Sequence, residues 1–193
     1  MGKLENWLEK WEKLVAQRLS YIVKQDREDG SLIVDADEVC FFGTVRLPIT
    51  MADLKKMEKD VLNPQIYIVG MKNGEIIPYN IWGKPEIKVP LKAQQKLYEA
   101  ELAELVALCE EEGVSLPTSL KVVADINSGE FCSRYSYHRL PFSPFAEMTI
   151  ADWAFDLWIL QIQEARSAFR QVQEDNKKDQ EELLLWNTFT SQG

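Results

Sequence analysis

The single histidine and the three cysteines are the residues that could form a nucleophilic catalytic pair. Cys132 and His138 fall on one predicted strand and on the same face of it, but the extended chain between them separates them by roughly 20 Å, which is beyond hydrogen-bond reach. Cys40 and Cys109 have no recognisable nucleophile context. An odd number of widely spaced cysteines fits neither a disulfide framework nor a metal site. We therefore predict three packing cysteines, no catalytic residue, no cofactor and no enzyme activity.

Two groups of carboxylates are candidates for binding. Asp35, Asp37 and Glu38 offer oxygen ligands, but their spacing lacks the glycine and the distal glutamate of a calcium loop, so we interpret them as a turn and predict no metal site. The run Glu110–Glu112 falls at the end of a predicted helix, where the carbonyl end of the helix dipole disfavours anions. A run that is locally unfavourable indicates interaction with a partner, or else a solvated helix end.

The formal net charge of -9 is concentrated on two predicted helical regions. Residues 91–113 hold six glutamates against two lysines, and residues 147–193 hold nine acids against four bases. Such a surface repels the phosphates of nucleic acid and favours a basic protein partner, because complementary fields steer association. The other interpretation is a solvated face that keeps the protein soluble.

The elements that position these groups are predicted by apolar residues at helical or alternating spacing, separated by turn residues. Asn73-Gly74 between two apolar runs is among the strongest hairpin signals. Gly113 is a natural helix stop. In chain order we predict a helix at 4–24, strands at 32–35 and 39–47 joined by a turn at 35–38, a helix from Thr50, strands at 66–71 and 76–82, an extended connector at 84–90, a helix at 91–112, a hairpin within 119–138, a helix at 149–175, a charged break at 175–178 and a last amphipathic segment at 183–189.

Strands that follow one another through short turns indicate antiparallel pairing and an α+β fold. We expect an antiparallel sheet of three hairpins, covered on one face by the helices at 4–24 and 149–175. We divide the chain into an α+β domain at 1–146 and a long C-terminal helical extension at 147–193 that packs on or near the same domain. No apolar run approaches the roughly 18 to 20 residues that span a bilayer, and the first residues do not resemble a secretory signal, so we predict a cytoplasmic protein without a membrane segment.

An acidic helix followed by a hairpin with a tyrosine-rich second strand is the pattern that points to a family. Its residues are Leu102-Ala103-Glu104-Leu105, Gly113, Pro117-Thr118-Ser119-Leu120, Asp125, Gly129-Glu130-Phe131 and Tyr135-Ser136-Tyr137. This order resembles the C-terminal half of YezG-type immunity proteins, in element order over residues 30–140 and in motif over 117–138. The acids that usually interleave the tyrosine-rich strand are replaced here by Ser133, Ser136 and His138. The resemblance implies an antitoxin-like protein that neutralises a toxin, often a nuclease.

We therefore predict an immunity or antitoxin-like protein that binds a basic partner, for example a nuclease toxin, and does not bind nucleic acid directly. Two other functions stay open. One is a ligand-binding domain or small enzyme with an aromatic pocket near Trp82, Tyr135 and Tyr137, and the other is a subunit that assembles through its C-terminal helices. The apolar cluster at 183–189 either docks on the chain's own domain or anchors a partner. The predicted partner-binding residues are Asp35, Asp37, Glu38, Glu110, Glu111, Glu112 and Trp186.

Overall fold

The computed structural model of the protein describes residues 2–29, 36–45, 64–77, 91–141, 143–145 and 148–191. Asp35 and the elements predicted at 32–35, from Thr50 and at 84–90 lie outside these residues. The described chain forms four helices and five strands. They are α1 (Lys3–Asp29), β1 (Glu38–Thr44), β2 (Ile66–Lys72), β3 (Glu75–Ile76), α2 (Leu91–Glu112), β4 (Ser119–Asp125), β5 (Phe131–Ser136), α3 (Ile150–Ala165) and α4 (Ala168–Ser191).

The strands form one antiparallel sheet in the order β3-β2-β1-β4-β5, which confirms the α+β fold. β1 pairs with β2 on one edge and with β4 on the other. Both edges of β1 are thus paired with strands from later in the chain, and the partner strand predicted at 32–35 lies outside the described residues. The hairpin within 119–138 is confirmed, and so is the pairing of residues 66–71 with the start of the strand predicted at 76–82, of which residues 78–82 lie outside the described residues. Asn73 and Gly74 join β2 to β3 with φ of 52° and 77°, the left-handed values that a two-residue hairpin turn requires.

Helices cover both faces of the sheet, which corrects the prediction of one covered face. On one face α1 and α2 pack against Val39 and Phe41 of β1. On the other face α3 and the first half of α4 pack against the intervening residues Cys40 and Phe42. Every residue of β1 is buried. A strand with apolar residues at consecutive positions can be buried on both faces, and this run accounts for the second helical layer.

The C-terminal helical region predicted from Thr149 is interrupted at Arg166, and the break predicted at 175–178 is wrong. Thr149 caps α3, since its hydroxyl accepts an amide hydrogen bond at 3.0 Å from the first turn. Arg166 then adopts a left-handed φ of 58°, and its guanidinium donates to the Asn73 carbonyl at 3.0 Å. α4 continues from Ala168 through the charged segment, because charged side chains on a helix surface leave its backbone hydrogen bonds intact.

Candidate functional site

The glutamate run at the end of α2 lies against the beginning of α1. The Glu112 carboxylate accepts a hydrogen bond from the Leu4 amide at 3.1 Å, and Glu111 forms an ion pair with Lys3. The unpaired amides at a helix N-terminus carry partial positive charge, so these carboxylates are favourable beside α1 although they oppose the dipole of their own helix. The fold itself therefore accounts for Glu111 and Glu112, and partner binding by Glu110, Glu111 and Glu112 stays a prediction.

Two further α2 glutamates are also directed at α1. Trp11 Nε1 donates to Glu101 at 2.8 Å and Trp7 Nε1 donates to Glu104 at 2.9 Å. Arg18 forms an ion pair with Glu101 as well. Much of the negative charge of α2 is thus used between two helices, so the acidic surface that α2 offers to a partner is smaller than its sequence suggests.

Asp37 and Glu38 lie where β1 begins, beside the β2–β3 turn and the start of α4. The Asp37 carboxylate accepts a hydrogen bond from the Asn73 amide at 2.8 Å, and this bond is the main reason that the pKa of Asp37 lies below its usual value. Glu38 is only 8% exposed and accepts hydrogen bonds at 2.8 Å from the Ser167 hydroxyl and from the Phe169 amide. The turn predicted at 35–38 is therefore wrong for Glu38, which is buried at the beginning of β1 and caps α4 instead.

A polar cleft of about 480 Å³ lies between these groups and the first turn of α4. Its walls carry both signs of charge, with Asp37 and Asp125 at the strand ends and Arg166 and Arg170 on the helical side. Arg166 is already hydrogen-bonded to the Asn73 carbonyl. Because the charges are mixed, the cleft has no bias towards one class of ligand, and we assign it none.

The three cysteines are free, and their surroundings suit packing. Cys40 and Cys109 are buried in the two cores, and burial is the main reason that the pKa of the Cys132 thiol rises to about 12. A thiol that stays protonated at neutral pH is a poor nucleophile. His138 lies in an exposed segment beyond the end of β5 at Ser136, so the pair considered in the sequence does not share one regular strand.

Two cations on the sheet lie near the acidic residues of α4. Arg134 donates to both oxygens of Asp179 at 2.8 and 3.0 Å and to Asp175 at 3.4 Å, which fixes α4 on β5. Lys121, its partner in the β4–β5 register, is buried with its Nζ 5.2 Å from the Trp158 ring centre. Burial is the main reason that the pKa of Lys121 falls to about 8. Sequence reasoning missed this group, because its acids lie 41 and 45 residues further along the chain than Arg134.

The second half of α4 carries a contiguous set of exposed apolar side chains, which we call the α4 tail surface. Every residue from 180 to 191 is exposed, so the alternative in which this cluster docks on the chain's own domain is wrong. Exposed apolar residues are common singly, whereas a cluster of them indicates an interaction site. The surface consists of Leu183 (61% exposed), Leu184 (66%), Leu185 (62%), Trp186 (69%) and Phe189 (78%).

The aromatic pocket predicted near Trp82, Tyr135 and Tyr137 is not assembled by the described residues. Trp82 lies outside them. The Tyr135 hydroxyl donates to Glu12 of α1 at 2.6 Å, which directs this ring under a helix, and Tyr137 is exposed. A ligand-binding function at this place stays a prediction.

Comparisons with protein-family models, with curated proteins and with solved structures found no match to this chain. The similarity to YezG-type immunity proteins therefore stays a prediction from the sequence. Among the helices that the structure describes, none is both long enough and apolar enough to span a membrane. The side chains themselves are the basis for a function, and the α4 tail surface is the most distinctive group of them.

Proposed function

We propose that this chain is a cytoplasmic immunity-type binding protein, without enzyme activity, that captures a basic partner such as a nuclease toxin through the α4 tail surface. The observation that carries the proposal is the exposure of five large apolar side chains on one helix segment. Burial of apolar surface contributes roughly 25 cal/mol per Å². A partner that covers these side chains therefore gains a large apolar contact.

The arrangement of the α4 tail surface indicates the shape of its partner. Residues 183–186 are consecutive, so at 100° per residue they point to all sides of the helix. A flat partner would cover only some of them, whereas an apolar groove encloses a helix. Trp186 is the expected centre of the contact, because tryptophan is enriched among the residues that dominate interface energies.

The charge of the chain indicates the electrostatic character of the partner. The net charge is -9, and Glu181 and Glu182 immediately precede the apolar cluster. A nuclease holds phosphates with cations, so its substrate groove is basic, and complementary charge speeds association. The three free cysteines also suit a reducing compartment. These features support the immunity function predicted from the sequence.

The test is co-expression with the protein encoded by the neighbouring gene, scored by growth rescue and by co-purification of the complex. We expect the wild-type chain to restore growth, and Trp186→Ala or Leu184→Ser to weaken the complex by a factor of about ten or more. The matched control is Leu160→Ser, which removes a 61% exposed leucine from α3 and should leave rescue unchanged.

Three results would count against the proposal in different ways. Full rescue by both tail variants would contradict the α4 tail surface as the docking site. A neighbour that is neither toxic nor bound would contradict the immunity function. A homodimer that forms through the tail without a partner, detected by light scattering, would favour the assembly subunit instead.

A further inference from the structure

We propose that His138, Asp179 and Glu182 form a binding site for a divalent transition metal ion, with Zn²⁺ as the ion to test. Each residue offers one ligand atom, and the three atoms all lie within 4.8 Å of one another. One imidazole nitrogen with two carboxylate oxygens is a set that zinc accepts, whereas Ca²⁺ and Mg²⁺ favour oxygen ligands alone. The site is independent of the proposed partner-binding function.

The three ligands come from two elements that the fold holds together. Asp179 and Glu182 are three residues apart on α4, so they lie on the same side of the helix. His138 approaches from the segment that follows β5. The Asn176 side-chain amide donates to the Ser133 carbonyl at 2.9 Å, which fixes this part of α4 against the strand.

Hydrogen bonds restrain two of the three ligand residues. Arg134 donates to both oxygens of Asp179, and the Thr118 hydroxyl donates to the His138 carbonyl at 2.5 Å. Each carboxylate oxygen has two lone pairs, so Asp179 can accept from Arg134 and still bind a metal ion. Contacts of this kind orient ligands around metal sites.

Closure of the site needs only a small movement. Ligand atoms about 2.0 Å from a tetrahedral zinc ion are about 3.3 Å apart, which is shorter than the 4.8 Å limit within which these three lie. His138 and Glu182 are exposed, so their side chains are free to rotate inwards. Three protein ligands on an exposed surface leave further coordination positions for water or for a side chain of another molecule.

The charges around the site favour a cation. Asp175, Asp179 and Glu182 all act on Arg134, and Asp175 and Asp179 also act on the buried Lys121. The acids outnumber these two cations before a metal ion arrives. A divalent ion would therefore join a group that is negative overall, and it would connect the packed half of α4 to the end of the sheet.

The experiment is a titration of the full chain with Zn²⁺ alone, followed by calorimetry and by competition with a chromophoric chelator. We expect one ion per chain and a higher melting temperature with Zn²⁺, because a ligand that binds only the folded state stabilises it. His138→Gln and Glu182→Gln should each lower the affinity tenfold or more and reduce the rise in melting temperature at a given Zn²⁺ concentration. The matched control Glu174→Gln, an exposed acid earlier on α4, should retain both.

Two results would overturn the site. One is the absence of saturable Zn²⁺ binding to the wild-type chain, and the other is binding to His138→Gln with wild-type affinity. Circular dichroism checks that each variant is folded, which the exposure of His138 and Glu182 favours. No partner protein is present in this titration, so its outcome is separate from that of the co-expression test.

Discussion

Glu38→Ala should destabilise the protein by about 3 kcal/mol, because the buried Glu38 carboxylate is the acceptor for the beginning of α4. It accepts hydrogen bonds from the Ser167 hydroxyl at 2.8 Å, from the Ala168 amide at 3.3 Å and from the Phe169 amide at 2.8 Å. A buried donor that loses its acceptor costs roughly 1 to 3 kcal/mol. Two helix amides lose theirs in this variant, so a middle value of about 2 kcal/mol for each gives about 4 kcal/mol, and entry of water lowers the expected loss to about 3 kcal/mol.

The assay is urea unfolding followed by far-ultraviolet circular dichroism. Glu38→Gln keeps one acceptor oxygen and should lose less stability than Glu38→Ala. The matched control Glu110→Ala removes an exposed carboxylate and should change the free energy of unfolding by no more than about 0.5 kcal/mol. If Glu38→Ala were as stable as this control, the capping role would be refuted and a surface role for Glu38 would become tenable again.

Three further predictions concern charges and a thiol. Lys121 has a folded-state pKa of about 8 against an ordinary value of 10.5, so the unfolded chain binds more protons between these values. Across this window the free energy of unfolding should rise with pH by about 3 kcal/mol more in the wild type than in Lys121→Met, as measured by urea unfolding at each pH. Glu112→Lys should lower the melting temperature more than Glu110→Lys, because Glu112 accepts the Leu4 amide at the start of α1. Cys132→Ser should leave partner binding intact in a pull-down, because its thiol stays protonated at neutral pH. Equal pH profiles of the wild type and Lys121→Met would contradict the first prediction, and equal melting temperatures of Glu112→Lys and Glu110→Lys would contradict the second. A Cys132→Ser variant that folds but does not bind the partner would contradict the third.

Local signals were enough to predict the hairpin turn and the helix end that form at asparagine or glycine residues. Asn73 and Gly74 take the left-handed conformation that their hairpin requires, and Gly113, with φ of 66°, follows the last residue of α2. The conformation at these positions depends mainly on the residue itself and on those next to it in the chain. For the same reason, the bounds of α2 agree with the helical spacing of its own apolar residues.

Contacts between distant segments decided the parts that sequence patterns could not predict. The acidic residues before β1 resemble a local turn, but β1 instead pairs with β2 and β4, which lie much later in the chain. The break at Arg166 depends on Asn73 and Glu38, which contact the α3–α4 junction from the sheet. The pairing of β1 leaves no local signal, whereas the break has one in Ser167, whose hydroxyl caps α4 by accepting a hydrogen bond from the Arg170 amide at 3.1 Å.

The candidate sites also divide into those that local sequence could indicate and those that depend on contacts between distant segments. Trp186 was identified from the sequence because it lies in a dense run of apolar residues with Leu183, Leu184 and Leu185. The run Glu110–Glu112 was recognised as unfavourable for its own helix, but the sequence could not show that α1 begins beside it. The group of His138, Asp179 and Glu182 depends on the packing of α4 against β5, so no local spacing could predict it.

The most direct test of docking at the α4 tail surface is amide hydrogen exchange on the chain, measured alone and in complex with the partner that the co-expression test identifies. All residues of 180–191 are exposed in the free chain, so docking at the α4 tail surface should slow exchange chiefly in this segment and leave α2 unchanged. Protection confined to another surface, or unchanged exchange at 180–191 in a formed complex, would contradict the proposal that the α4 tail surface captures the partner.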